Sequence, residues 1–235
     1  MQEDIMTCWE MIVIPEGSFT MGTDDREVEA PQRVIQLDRF EVAKYPVTNQ
    51  AYESFLSDSP DRPAPEYWNG RTPPADLLNH PVVEVTWDDA QALSTWLSVK
   101  TGQTYRLPTE AEWEKAARGT DGRIYPWGND FDATMCNTRE EGPGHLAPVD
   151  YYSEGASPYG VMDMAGNASE WCSDWHKKGY VENLLPNPTG PQTGKHRVTR
   201  GSSWRYSANM ARCAARYWCP PDMRRNNTGI RLVRI

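Results

Sequence analysis

Long hydrophobic runs are missing from this chain of 235 residues: no stretch approaches the roughly 18–20 apolar residues that a membrane-spanning helix needs. A surplus of positive charge is missing too. Lys and Arg number 24 against 33 Asp and Glu, a net charge of -9, so no broad basic field exists to hold a phosphate backbone and no nucleic acid partner is expected. The opening Met1-Gln2-Glu3-Asp4 is acidic and lacks the basic-then-apolar order of a signal peptide, which predicts a cytoplasmic protein. Cysteine is scarce and odd in number: Cys8, Cys136, Cys172, Cys213 and Cys219 are irregularly spaced and predict no disulfide framework.

Against these gaps stand 10 Trp and 11 Tyr beside only 4 Phe, with 17 Gly and 19 Pro. Large amphipathic rings anchor a core through their polar ends as well as their faces. The Gly and Pro load predicts many turns and long loops rather than stacked helices. Met11-Ile12-Val13-Ile14 and Ser18-Phe19-Thr20-Met21 read as strands joined by a Pro-Glu-Gly turn, and Arg33 to Val42 alternates with period two as one half-buried strand. Thr48 opens a short helix with Tyr52, Phe55 and Leu56 on one face. Thr86-Trp87-Asp88-Asp89 starts a longer helix with Ala90, Leu93, Trp96 and Leu97 as its buried stripe and Gly102 as its stop. Thr109-Glu110-Ala111-Glu112 has the form of a capping box for a helix running past Trp113 and Ala116 to Gly119.

Beyond Gly119 regular periodicity nearly disappears for about 75 residues, a length at which a loop is either functional or tied down by ions and anchors. Pattern returns at 196–201, 213–216 and 228–234, which predict short strands of one antiparallel sheet. No repeat or linker divides the chain, so residues 1–10 read as a leader and 11–235 as one α+β domain.

Several stretches are recognisable in order: Ile14-Pro15-Glu16-Gly17-Ser18-Phe19, Tyr45-Pro46-Val47-Thr48-Asn49, His80-Pro81-Val82 and Arg106-Leu107-Pro108-Thr109-Glu110-Ala111-Glu112-Trp113. Pro126-Trp127-Gly128, Gly166-Asn167-Ala168-Ser169-Glu170-Trp171, Arg200-Gly201-Ser202-Ser203-Trp204 and Thr228-Gly229-Ile230-Arg231 follow. Together they resemble the formylglycine-generating enzyme (sulfatase-modifying factor) superfamily across residues 11–235. The resemblance implies a variant C-type lectin fold with small antiparallel sheets, two main helices and extensive ordered loops.

It also implies structural calcium, an ion that takes about six to eight oxygens from carboxylates and backbone carbonyls. The matching positions are Asp163, Gly166 (C=O), Ala168 (C=O) and Glu170, with a second set at Asn137, Thr138 (C=O), Glu141 and Pro143 (C=O). The oxidases of this family use two cysteines four residues apart, shortly after the Gly-Gly-Ser motif, to hold copper, a soft ion suited to thiolates. Here Tyr206 occupies the first cysteine's place, the second is deleted, and Ser169 replaces an aromatic usual beside the site. Cys213 and Cys219 lie beyond that stretch at a different spacing. The related iron-dependent sulfoxide synthases need ligands, mainly histidines, on an additional helical domain, whereas His80, His145, His176 and His196 form no such motif. No copper or iron is therefore expected.

With that chemistry missing, the segment 204–227 reads as a recognition surface: Trp204, Arg205, Tyr206, Ser207, Asn209, Met210, Tyr217, Trp218, Met223 and Arg224, with Arg225, Asn226 and Asn227 in the same segment, include the residue types enriched where partners bind. The expected partner is a protein or small molecule at the C-terminal sheet surface. This region also resembles the variable proteins of diversity-generating retroelements, which implies a diversified ligand surface, although Met210 and Met223 cannot arise from the asparagine codons those systems usually diversify. The reading is a non-catalytic ligand- or protein-binding module. Its alternative is a metal-dependent oxidoreductase of the same superfamily with a site built on Tyr206 or Cys219.

Overall fold

The computed structural model describes residues 9–180 and 185–235. Residues 1–8 of the expected leader, and Cys8 with them, lie outside the described residues. Its last two positions belong to the fold: Trp9 packs against the core and the Glu10 carbonyl accepts the Lys44 N–H at 2.8 Å.

Strands β1 (Met11–Ile14) and β2 (Gly17–Met21) form where the sequence places them. The single strand expected over 33–42 is two, β3 (Arg33–Leu37) and β4 (Phe40–Ala43), pairing with β2 and β1 respectively. Burial explains the break. The core-facing residues are Ile35 and Leu37 before it and Phe40 and Val42 after it, a change of parity that an uninterrupted strand cannot make. The Asp38 N–H freed at the break donates to Asn187 Oδ1 at 2.8 Å.

The three helices start and stop on the signals read locally. In α1 (Asn49–Ser57) the Thr48 hydroxyl accepts the Ala51 N–H, and Tyr52, Phe55 and Leu56 are buried. Both α2 (Trp87–Thr101) and α3 (Glu110–Arg118) carry complete capping boxes, Thr86 with Asp89 and Thr109 with Glu112. Gly102 closes α2 at φ 70°, a left-handed turn that glycine adopts without strain. Every residue of α3 is buried, its charged ones included, so this helix has no solvent face and its polar side chains serve the interior.

Strands β5 (Tyr105–Arg106) and β10 (Val233–Arg234) complete a sheet ordered β1-β4-β10-β5. A second four-stranded sheet is ordered β8-β7-β6-β9, from β6 (Ser169–Trp175), β7 (Arg197–Arg200), β8 (Tyr217–Cys219) and β9 (Thr228–Gly229). The two pairings of β7 are antiparallel, and β9 runs parallel to β6. Three expectations are corrected here. Strand β6 lies inside the stretch without periodicity, because Ser169 to Cys172 are buried in succession and a strand covered on both faces shows no alternation. Residues 213–216 turn rather than extend, and the strand begins at Tyr217. Residues 228–234 serve two sheets, not one.

Two large apolar cores result, beside a small cluster of Cys136, Ala165 and Ala211. One packs α3 and its Trp113 against β2, β3 and Val198 of β7, with Phe19, Ile35 and Leu37 at its centre. The other gathers α1, α2, Trp171 of β6, Ile230 and Leu232. Among the described residues no helix is long and apolar enough to cross a membrane.

Candidate functional site

Three loops meet beside the end of β7, and the ionic chemistry of α3 holds them there. Arg200, with its side chain wholly buried, donates to Glu110 Oε1 at 2.9 Å, to Glu114 Oε2 at 2.6 Å and to the Cys213 carbonyl. Arg216 forks onto both Glu110 oxygens at 2.6 and 2.8 Å, and Arg118 meets Glu114 at 2.9 Å. Burial alone would raise the Glu110 carboxyl; the two guanidiniums outweigh it and hold that carboxyl below its ordinary range. Gly201 follows at φ 89°, where an added Cβ would stand 3.0 Å from the Trp113 ring, so the chain turns here only because the residue is glycine. The turn leads through Ser202 and Ser203 to Trp204, whose N–H donates to the Asn167 carbonyl, while Ser169 Oγ donates to the Ser202 carbonyl.

Beyond Trp204 opens a cleft of about 660 Å3. Arg205 and Tyr206 form one wall, Arg224, Arg225, Asn226 and Asn227 another, and Arg139 and Glu84 complete it. The Arg139 N–H donates to the Tyr206 carbonyl at 3.0 Å, which ties the two loops together. Arg205 donates to Asn226 Oδ1 at 3.1 Å, and the Asn227 amide donates to Ser203 Oγ at 2.8 Å. Arg224 is fixed from behind, on Asp89 Oδ2 at 2.7 Å and the Glu84 carbonyl at 2.6 Å. Glu84 sits at φ 58°, and its carboxylate accepts the Glu66 N–H.

The structure divides the ten residues read as a ligand surface. Arg205, Tyr206 and Arg224 line the cleft, with Trp204 leading into it and the Tyr217 ring parallel to Tyr206 at 6.4 Å. Met223 lies at its edge, where its sulfur accepts from Arg225 Nε. Ser207, Asn209 and Met210 form a short 3-10 turn on a neighbouring surface, where Asn209 Oδ1 accepts from Arg26 and Arg212. Trp218 is on the far side of β8, stacked on His176 at 4.0 Å; strand alternation separates it from Tyr217. Arg139 and Glu84 are the lining residues that sequence reading missed. The only local signal was that Arg139 follows directly on the expected ion loop at Asn137-Thr138.

The two loops matched to calcium differ. Glu170 is engaged elsewhere: both oxygens accept from Arg231, at 2.8 and 2.9 Å, and Oε2 also accepts the Trp113 indole N–H at 2.6 Å. Asp163 is buried at φ 59°, bonded to the Asn167 amide at 2.8 Å, and burial pushes its carboxyl up to about 7. Gly166 N–H donates to the Gly201 carbonyl, and Ala168 is buried beside it. In the other loop Asn137 Oδ1 is buried without a hydrogen-bond donor, 2.2 Å from where a Cβ on Gly142 would stand. The Thr138 carbonyl accepts the Gly142 N–H, and Glu141 and Pro143 are exposed at the loop's tip.

Among the described residues no cysteine lines the cleft. Cys213 and Cys219 are 0% and 1% exposed; burial raises both thiols, the former to about 12. Among the described residues no three His, Cys, Asp or Glu side chains converge as a metal-ligand set.

Comparison with known proteins accounts for this scaffold. The formylglycine-generating enzyme of Thermomonospora curvata is 33% identical over an alignment 286 positions long, covering 94% of this chain and 92% of that one. The structure of PvdO from Pseudomonas aeruginosa superposes with a TM-score of 0.84 at 28% identity, over 97% of this chain and 94% of that one. Treponema denticola variable protein 1 shares the fold, with a TM-score of 0.84 at 24% identity over 96% and 95% of the two chains. Because the sulfatase-modifying factor enzyme 1-like domain matches residues 1–235, and a formylglycine-generating enzyme aligns over nearly its own whole length, the chain belongs to that family and has its variant C-type lectin architecture.

Proposed function

We propose that this chain is a ligand-binding member of its family that does not carry out copper-dependent formylglycine generation. The observation that carries the reading is the lining of the cleft. Tyr206 stands where the resemblance places the first catalytic cysteine, and guanidiniums and amides surround it. Copper(I) is held by thiolates, and the nearest cysteines in sequence are buried thiols with raised pKa values. Arginine and tyrosine are residue types enriched at the energetic centres of binding surfaces.

The test is oxygen consumption by the purified protein after incubation with copper(I) and a cysteine-containing peptide. No turnover above a Tyr206→Ala variant is expected. Turnover with stoichiometric copper or iron would establish the metal-dependent oxidoreductase instead.

Calcium enters as a structural ion on the loop 137–143. There Asn137 Oδ1, the Thr138 and Pro143 carbonyls and Glu141 would hold it, and the donorless Asn137 oxygen is the observation in its favour. Bound calcium supplies loop rigidity rather than chemistry. A calcium-dependent rise in Tm that disappears in Asn137→Ala is the expected result; an unchanged Tm in both proteins counts against the ion.

A further inference from the structure

The chain is acidic, with 33 Asp and Glu against 24 Lys and Arg, yet one cleft concentrates four arginines. Most arginines elsewhere hold a carboxylate. Of the four here only Arg224 does, on Asp89. Arg139, Arg205 and Arg225 form no ion pair among the described residues, although the protein has carboxylates to spare; Glu140, beside Arg139, feels its charge but is bonded to the Ala208 N–H. Glu84, the one acid in the lining, gives an oxygen to the Glu66 N–H. Like charges gathered in excess of their counter-charge repel, so the arrangement costs free energy that an anionic ligand would recover.

The form of that anion follows from what the cleft offers. Phosphate is most often cradled by clustered main-chain N–H groups at a helix N-terminus or in a turn. Here the N–H groups of Glu84, Arg139 and Tyr206 are spent on the carbonyls of Arg225, Tyr206 and Ser203. The feature shared by the three separate segments, at 139, 205 and 224–225, is side-chain guanidinium spread around an open cleft. Planar guanidiniums pair with carboxylates through two parallel hydrogen bonds, and separated ones suit carboxylates carried at intervals along a chain. Resting on the ligand-binding reading of this cleft, the geometry points to an acidic polypeptide segment as its ligand, with Arg139, Arg205 and Arg225 each taking a carboxylate beside the Tyr206 ring.

The experiment is fluorescence anisotropy of a labelled peptide alternating Glu and Gly, titrated with the full chain, with pyrophosphate as competitor. Binding is expected at low salt and should weaken as salt rises. Arg139→Gln and Arg205→Gln should each weaken it about tenfold, and the pair together more, as loss of a charge-assisted hydrogen bond requires. Arg39→Gln, on an exposed arginine away from the cleft, should leave it unchanged. Failure to bind the acidic peptide, or equal binding by the Arg139→Gln and Arg205→Gln variants, overturns the assignment. So does pyrophosphate that displaces the peptide at equal concentration, since the cleft would then be a phosphate site. None of these outcomes produces oxygen consumption, so they are distinguishable from failure of the non-catalytic reading.

Discussion

Arg200 and Arg216, buried beside α3, reach Glu110 and Glu114 oxygens at 2.6 to 2.9 Å, whereas Arg139 and Arg205 at the cleft reach no carboxylate among the described residues. The side chain is the same and the surroundings differ. A guanidinium taken out of water carries a desolvation cost of several kcal/mol, roughly, so it persists only where charges and hydrogen bonds answer it. An exposed one keeps its water and can stay unpaired at little cost. The buried group therefore belongs to the fold, while the exposed group is free to belong to a complex. The contrast also separates two uses of Arg-Glu pairing: Arg231, donating to Glu170 and to the Ala43, Lys44 and Met162 carbonyls, staples the stretches around 43–44 and 162–170 to the C-terminal end.

Breaking the buried side should have the largest effect. Arg200→Met leaves Glu114 with Arg118 and Glu110 with Arg216, but removes the cation that both carboxylates share. A loss of about 3–5 kcal/mol is expected from urea unfolding, the worth of two charge-assisted hydrogen bonds of a buried guanidinium. Adding Glu114→Gln should deepen that loss, because the buried Arg118 then loses its own carboxylate. A loss near zero in the single variant would show that the network is not what holds α3.

A smaller effect comes from the acid that the buried arginines leave out. Asp174 is 4% exposed, accepts the Glu110 N–H at 2.9 Å, and forms no ion pair among the described residues. Burial, with Glu110 nearby as a like charge, pushes its carboxyl up to about 7. An unfolded aspartate titrates near 3.9, roughly, so between these values the folded protein keeps a proton that the unfolded chain has released. The contribution to stability is thus fully present at low pH and is lost as pH rises through about 7. Asp174→Asn keeps an acceptor for the helix and cannot ionise. Its stability relative to the parent should grow by about 2–4 kcal/mol across that window, measured as urea midpoints at each end. A constant difference would mean that Asp174 ionises normally.

What the sequence made legible follows the range of the interactions concerned. The capping boxes Thr86/Asp89 and Thr109/Glu112 are contacts between residues three apart, and all three helices were readable from such signals. Strand β6 was not, because burial on both faces erases the period on which strand reading depends. The break at Asp38 depends on Asn187, and the engagement of Glu170 depends on Arg231; neither partner is close in sequence. The site was legible by half. Arg205, Tyr206 and Arg224 follow from their place after Trp204; the separation of Tyr217 from Trp218 was missed, because the strand was expected at 213–216 and begins at Tyr217. Arg139 enters only because a loop from elsewhere in the chain hands its N–H to the Tyr206 carbonyl.

The smallest expected effect on stability is at the cleft, and it decides whether the contrast holds. Both Arg139 and Arg205 are exposed. Among the described residues the Arg205 side chain has one hydrogen bond, to Asn226 at 3.1 Å, and no ion pair. If these residues serve a ligand rather than the fold, the double variant Arg139→Gln with Arg205→Gln should unfold within about 0.5 kcal/mol of the parent, the range of ordinary surface substitutions. Relief of mutual repulsion could even make it slightly more stable, and low salt would enlarge that gain because exposed charges are then least screened. A loss comparable to that of Arg200→Met would erase the difference between the two regions and make the cleft arginines structural. Stability held while acidic-peptide binding falls would instead place function where the fold leaves its charges unanswered.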